Sequence, residues 1–303
     1  MKSDIEVSSK SSRRNFLKLS GSYVLGASLF PAIPFLNNEK AKAGKLSVQL
    51  YTVRNEIAKD LAGTLKRVRE IGFHYVETAF WPKELSIEKA AKQIKEAGLK
   101  VSSCHIELPI GNNKQIMLDT AAAFGSKKMI WHGWPEDKRY SSLEGTMELV
   151  GIYNEASKFA KSNGLQFGLH NHWWEYRNKV GGRFVYEVLL ENVDKDIFFE
   201  IDTYWVKVAG HNPADIVKKF GSRAKLLHIK DGPAQFNNSL LSDNPDPMTP
   251  VGKGTQNFPS IVKAADGNTE WMVVEMDKTA IDVYDALKQS YDYLITNRMV
   301  VVE

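Results

Sequence analysis

Phe198-Phe199-Glu200-Ile201-Asp202 is a strand-like run that ends on a residue type able to bind a divalent metal. Three other runs in the second half of the chain share that design: Phe167-Gly168-Leu169-His170, Leu226-Leu227-His228 and Met272-Val273-Val274-Glu275. Two positions beyond each end stands a second polar or aromatic residue, respectively Tyr204, His172, Lys230 and Asp277. Side chains two apart on a strand share a face, so each pair points the same way, one layer above the other. An apolar run that turns polar at its C-terminal end is what a strand looks like where it leaves a packed barrel for an active-site mouth. The pattern points to an enzyme.

Outward from these four runs, strand and helix signals alternate along the chain. Strand-like runs fall near 45–51, 73–79, 99–106, 127–133, 165–171, 196–203, 224–230 and 271–276. Helical periodicities lie between and after them, near 61–70, 87–95, 113–124, 143–162, 183–191, 213–220, 258–265 and 281–296. Gly72, Gly98, Gly125, Gly164 and Gly221 follow last turns, as left-handed helix ends require. Eight β–α units in about 260 residues predict one (β/α)8 TIM barrel over residues 44–303. A doubly wound open sheet is disfavoured because no glycine-rich turn follows the first strand. The one long connection, 231–257, leaves the seventh strand and is expected to lie across the mouth.

The first 43 residues read differently. Arg13-Arg14-Asn15-Phe16-Leu17-Lys18 precedes a moderately apolar stretch, and Ala41-Lys42-Ala43 supplies small residues at the positions a signal peptidase reads. This resembles a twin-arginine export signal, cleaved after Ala43, and implies a periplasmic protein carried by the twin-arginine translocase. Pro31, Pro34 and Lys18 make the stretch a poor membrane span. Its removal takes away seven Lys/Arg and three Asp/Glu, leaving 33 of each sign and a neutral mature chain. With no basic patch, nucleic acid is disfavoured as a partner, and no membrane association is expected after cleavage. The single cysteine, Cys104, lies in Val101-Ser102-Ser103-Cys104-His105 and is read as a buried apolar-like residue.

Asp202, His228 and Glu275 offer two oxygen donors and one nitrogen, a set that suits one Mn²⁺, Mg²⁺, Zn²⁺ or Co²⁺ ion without choosing among them. Consecutive barrel strands bring such ligands together, because neighbouring strands sit about 4.8 Å apart. His170 or Glu175 would complete the site. Glu77, at the end of the second strand, either caps the mouth or meets substrate. His74 and His211 read as structural.

Five segments together resemble the xylose-isomerase-like barrels, the sugar phosphate isomerases/epimerases. They are Leu50-Tyr51-Thr52-Val53-Arg54, His170-Asn171-His172-Trp173-Trp174-Glu175-Tyr176, Asp202-Thr203-Tyr204-Trp205-Val206, His228-Ile229-Lys230-Asp231 and Val274-Glu275-Met276-Asp277. The Gly252-Lys253-Gly254 loop with Phe258 fits as well. The resemblance implies one divalent metal held by Glu, Asp, His and Glu from strands five to eight. Asp202, His228 and Glu275 match the last three, while His170 stands where glutamate is usual and Trp205 where many members carry histidine. These departures bring the chain nearer to the inosose-dehydratase-like branch, which shows a similar His-Asn-His…Glu run.

The implied activity is isomerisation or epimerisation of a carbohydrate through an enediolate, with a lyase or dehydratase acting on a keto-sugar or 3-keto-glycoside as the alternative. A non-catalytic sugar-binding barrel is the reading from another class. Glu275 or Glu175 is expected as the base, with His105 and Lys230 as further catalytic groups. Tyr51, His132, His172 and Trp205 are expected to bind substrate by hydroxyl contacts and by stacking on its C–H faces. The substrate expected of an exported enzyme is a neutral sugar or glycoside rather than a sugar phosphate.

Overall fold

The computed structural model describes residues 43–133, 137–237, 240, 245–265 and 267–301. Residues 1–42, and with them nearly all of the expected leader, lie outside the described residues, as does Trp134. Eight strands form the barrel: β1 (Lys45–Gln49), β2 (Tyr75–Thr78), β3 (Lys100–Ile106), β4 (Lys128–Trp131), β5 (Gln166–His170), β6 (Phe198–Asp202), β7 (Ala224–Ile229) and β8 (Trp271–Val274). Each pairs in parallel with its neighbours in sequence, and β8 closes on β1. The chain is a closed (β/α)8 barrel.

One main helix follows each strand: α1 (Leu61–Ile71), α2 (Ile87–Glu96), α3 (Asn113–Phe124), α4 (Leu143–Ser162), α5 (Val185–Asn192), α6 (Pro213–Phe220), α7 (Phe258–Ala265) and α8 (Val283–Thr296). Local chemistry sets their ends. Asp60 and Ser86 accept from the Gly63 and Lys89 N–H groups to start α1 and α2, the usual N-cap arrangement. Each helix buries one apolar stripe on the outside of the barrel, as α2 does with Ala90 and Ile94. Cys104 is buried within β3 and its thiol is pushed up to about 12 by that burial, which makes it unreactive.

Inside the barrel the side chains form layers. The lowest is apolar, made of Ile130, Phe198, Leu226 and Val273. Gly168 makes room for it: a Cβ there would meet the Phe198 ring at 2.2 Å. Above this plug the interior turns polar. The next residues of the same faces are Glu200 on β6, in register with His170 on β5, and Asp202, in register with His228 on β7. The apolar base is what lifts the polar residues to the C-terminal end.

The long connection after β7 is organised by one carboxylate. Asp231 accepts from the backbone N–H groups of Gly232, Gly252, Gly254 and Gln256 at 2.9–3.1 Å. Gly254 must be glycine here, because a Cβ would lie 2.2 Å from Asp231 Oδ1. The Gly-Lys-Gly turn is therefore wrapped around an internal anion.

Candidate metal centre

Strand alternation brings two acids of β6 and the end residues of β5, β7 and β8 to one place. In the upper layer His228 Nδ1 lies 2.6 Å from Glu275 Oε2 and 3.9 Å from Asp202 Oδ2. His170 Nε2 lies 3.9 Å from the same Asp202 oxygen. Asp202 is held by its other oxygen, Oδ1, which accepts from the Tyr204 and Trp205 N–H groups at 3.0 Å and caps the short helix that follows β6. Asp202 Oδ2, His228 Nδ1 and Glu275 Oε2 are buried, and none has a directed hydrogen bond. Three buried donor atoms that converge on one point, two of them only 2.6 Å apart, form a candidate metal-binding cluster.

Lys230 is the cation among them. Its ammonium lies 3.0 Å from Asp202 Oδ2 and 2.8 Å from Glu275 Oε2 as ion pairs, and donates to Asp277 Oδ2 at 2.9 Å. Burial alone would lower its pKa, yet Asp202, Asp277 and Glu275 raise it well above the usual lysine value. The same ammonium leaves Glu275 strongly acidic against its own desolvation. Asp277, at the rim, is pushed up to about 6 by burial and by Glu275, with Lys230 opposing.

A lower layer, with Glu77 and Glu200 completely buried, supports this one. Glu77 Oε1 accepts from Gln49 Nε2 at 2.8 Å and lies 2.7 Å from His228 Nε2, while its Oε2 accepts from Ser103. Glu200 Oε2 lies 2.7 Å from His105 Nε2, 3.1 Å from His170 Nδ1 and 3.1 Å from His228 Nε2. Desolvation lowers the His105 pKa, but Glu77 and Glu200 outweigh it and raise the value to about 9. Sequence reasoning assigned Asp202 and passed over Glu200. The signal was there: an acid inside an otherwise apolar strand, on the same face as the assigned one.

A cavity of about 320 Å³ opens above the cluster. Tyr51, His105, His132, His172, Trp205, Lys230 and Glu275, all named from the sequence, line it, together with Arg54, Phe80 and Asp277, which were given no role there. Arg54 ties the two ends of the barrel wall, donating to the Tyr51 and Asp277 carbonyl oxygens at 2.8 Å each. His132 donates from Nδ1 to the Gly133 carbonyl at 2.9 Å. Glu175 goes elsewhere. The short helix Trp174–Arg177 turns it behind β5, where it shares a small cavity with Tyr140, Tyr153 and Tyr176 and accepts from the His172 N–H at 3.0 Å. His211 is structural, donating from Nε2 to the Tyr176 carbonyl at 2.8 Å.

The profile of the xylose isomerase-like TIM barrel family matches residues 65–296. The chain belongs to that family. Two solved structures of sugar phosphate isomerases/epimerases from Parabacteroides distasonis are 23% and 25% identical to it, each with a TM-score of 0.68. They align over 84% and 83% of this chain and 95% and 98% of their own. A xylose isomerase-like TIM barrel protein from Mycobacterium smegmatis in complex with magnesium is 17% identical, with a TM-score of 0.62, over 84% of this chain and 96% of that one. No curated protein matches the sequence.

The position of Glu175 has a consequence for stability. Burial pushes its carboxyl up from 4.5 to about 8, against hydrogen bonds from its own and the His172 backbone N–H. The folded state therefore holds the proton more tightly than the unfolded chain. Stability from this group is complete below about pH 4.5 and is lost as pH rises to about 8, by about 5 kcal/mol in all. Glu175→Gln keeps the neutral form at every pH. Denaturant titrations should show the variant losing less stability than wild type across that interval; parallel curves would contradict the assignment.

Proposed function

We propose that this protein is a metal-dependent carbohydrate isomerase or epimerase that works through an enediolate of its substrate. The observation that carries the reading is the convergence of the buried Asp202 Oδ2, His228 Nδ1 and Glu275 Oε2 beneath an aromatic-walled cavity. Asp202, His228 and Glu275 would hold the ion, with His170 Nε2 as the fourth ligand. The names of the Parabacteroides relatives and the magnesium in the mycobacterial one support the same reading. A divalent cation supplies Lewis acidity when bound there, making a C–H beside a carbonyl more acidic.

The chain's own residues then divide the work. Asp277 takes the proton from the carbon next to the carbonyl; its carboxyl faces the cavity and has a pKa near neutrality, as a general base requires. Lys230 contacts both Asp277 and Glu275, but Glu275 also meets His228 and is left strongly acidic, and Glu175 lies behind β5, so neither serves as well as Asp277. The Lys230 ammonium faces the developing oxyanion from the same side. His105 and His172 meet substrate hydroxyls, while Tyr51 and Trp205 offer flat faces to its C–H surface. The backbone N–H groups that Asp231 gathers are filled by that carboxylate, which favours a neutral sugar or glycoside over a sugar phosphate.

Elimination is the second reading, and His105 favours it. Kept protonated by Glu77 and Glu200 at the edge of the cavity, it can protonate a departing β-oxygen, which makes the same site a lyase or dehydratase of the inosose-dehydratase kind. Neutral sugars and keto-sugars incubated with the metal-supplied protein in D₂O separate the outcomes. An isomerase puts deuterium on the carbon beside the carbonyl, and a lyase releases water or alcohol with an unsaturated ketone. Asp277→Asn should lower either rate at least about 100-fold. Neither product across a broad panel, with binding unchanged in Asp277→Asn, would leave a sugar-binding barrel.

We further propose that residues 1–43 are a twin-arginine leader and that the barrel works in the periplasm. Arg13-Arg14 and Ala41-Lys42-Ala43 support this. Among the described residues no helix is long and apolar enough to cross a membrane. The junction belongs to the base of the barrel: Ala43 donates to the Met299 carbonyl at 3.3 Å, and the Gly44 carbonyl accepts from Val301 at 2.8 Å. Cutting there requires this edge to open. Arg13→Lys with Arg14→Lys should strand the precursor in the cytoplasm, and mass spectrometry of the exported form should find Gly44 first. An intact Met1 or a membrane-bound product would contradict the proposal.

A further inference from the structure

Glu77 and Glu200 are buried and do not line the mouth cavity, and the chemistry proposed above uses them only to keep His105 protonated. Two carboxylates placed in a barrel interior at the cost of their hydration call for an explanation. Their contacts supply one. An ionised carboxylate can only accept, so a histidine nitrogen within hydrogen-bond distance of one carries the hydrogen. For His228 both nitrogens qualify in the metal-free chain: Nε2 lies 2.7 Å from Glu77 Oε1 and 3.1 Å from Glu200 Oε2, and Nδ1 lies 2.6 Å from Glu275 Oε2. Only the Nε2 hydrogen remains once an ion takes the place of the one on Nδ1. For His170 the nitrogen is Nδ1, 3.1 Å from Glu200 Oε2.

We propose that Glu77 and Glu200 are positioning residues that hold the ring hydrogen on Nδ1 of His170 and on Nε2 of His228, so that Nε2 of His170 and, when an ion displaces its hydrogen, Nδ1 of His228 are the nitrogens presented to the metal. The outward nitrogens agree with this. His170 Nε2 is aimed at Asp202 Oδ2 at 3.9 Å, and His228 Nδ1 at Glu275 Oε2 and Asp202 Oδ2. A metal-ligating histidine commonly gives its other ring N–H to a carboxylate, which fixes ring orientation and raises ligand basicity. Here one pair of carboxylates does so for two rings on different strands.

The lower layer is itself anchored from outside the metal cluster. Gln49 and Ser103 donate to Glu77, and His105 closes the layer between Glu77 Oε1 at 3.2 Å and Glu200 Oε2 at 2.7 Å. A second ion in place of these bonds would have His105, His170, Glu200 and His228 as ligands, four groups whose donor atoms do lie close together. Hydrogen bonds already account for all three of the nitrogens involved. The lower layer is a support for the upper one.

The half of the proposal that concerns the metal rests on the function proposed above; the tautomers themselves do not. Long-range ¹H–¹⁵N correlation spectra of the full chain labelled at histidine read each ring directly, with and without zinc. His170 should carry its hydrogen on Nδ1 in both states, the tautomer a free imidazole disfavours, and zinc-bound His228 on Nε2. Glu200→Gln should weaken zinc binding on the order of 10- to 100-fold and shift the visible spectrum of the cobalt form, with circular dichroism unchanged. Finding His170 protonated on Nε2, or Glu200→Gln with wild-type zinc affinity and cobalt spectrum, would overturn the proposal. If Glu200→Gln fails to fold, the wild-type His170 signal decides alone. Wild-type protein that binds no zinc while His170 shows Nδ1–H would sink the metal reading and leave the tautomer assignment standing.

Discussion

Charge balance inside the barrel is the constraint on which the upper half of the structure depends. Glu77, Glu200, Asp202 and Glu275 are buried there with Asp277 at their rim, and Lys230 is the lysine buried among them. Removing a carboxylate from water costs several kcal/mol unless a cation or a set of donors replaces the lost hydration. Donors are supplied to Glu77 by Gln49, Ser103 and the histidines, and to one oxygen each of Glu200 and Asp202. Three oxygens are left over: Glu200 Oε1 in the lower layer, and Asp202 Oδ2 and Glu275 Oε2 above it, which face the Lys230 ammonium and His228 Nδ1. A divalent cation at that point would offset the remaining charge and give the donors a common partner.

Three levels of the barrel therefore have three separate tasks. The apolar plug of Ile130, Phe198, Leu226 and Val273 closes the base and sets the height of everything above it. The carboxylate–histidine layer turns rings and holds them. The upper cluster and its aromatic walls meet the ligand. On β6 each level is reached from the one below by a step of two residues, from Phe198 to Glu200 to Asp202, and the other strands contribute to one or two of the levels. Rigid strands carrying the reactive groups, with loops closing over them, is the division of labour typical of this fold.

Much of this could be read in the chain beforehand, for a physical reason. Strand ends that turn polar in register report the barrel mouth, so all eight strands and the grouping of Asp202, His228 and Glu275 were accessible from local sequence. What closes across the barrel was not. Glu77 meets His228 at a separation of 151 residues, and nothing near either residue in sequence announces the other. Glu175 was misleading because five residues after a strand end is compatible with the mouth, and only the short helix Trp174–Arg177 turns it away. The hairpin of Lys179–Val180 and Arg183–Phe184 escaped because two-residue strands are too short to show an alternation.

The central claim is that the cluster of Asp202, His228 and Glu275 holds one divalent ion. The most direct measurement is metal content by mass spectrometry of the protein without a polyhistidine tag, after dialysis against micromolar Mn²⁺, Mg²⁺, Zn²⁺ or Co²⁺. The account predicts close to one equivalent of one of these ions in the wild type and its loss in Asp202→Ala. Less than about a tenth of an equivalent with every ion, or full occupancy retained in Asp202→Ala, would contradict it.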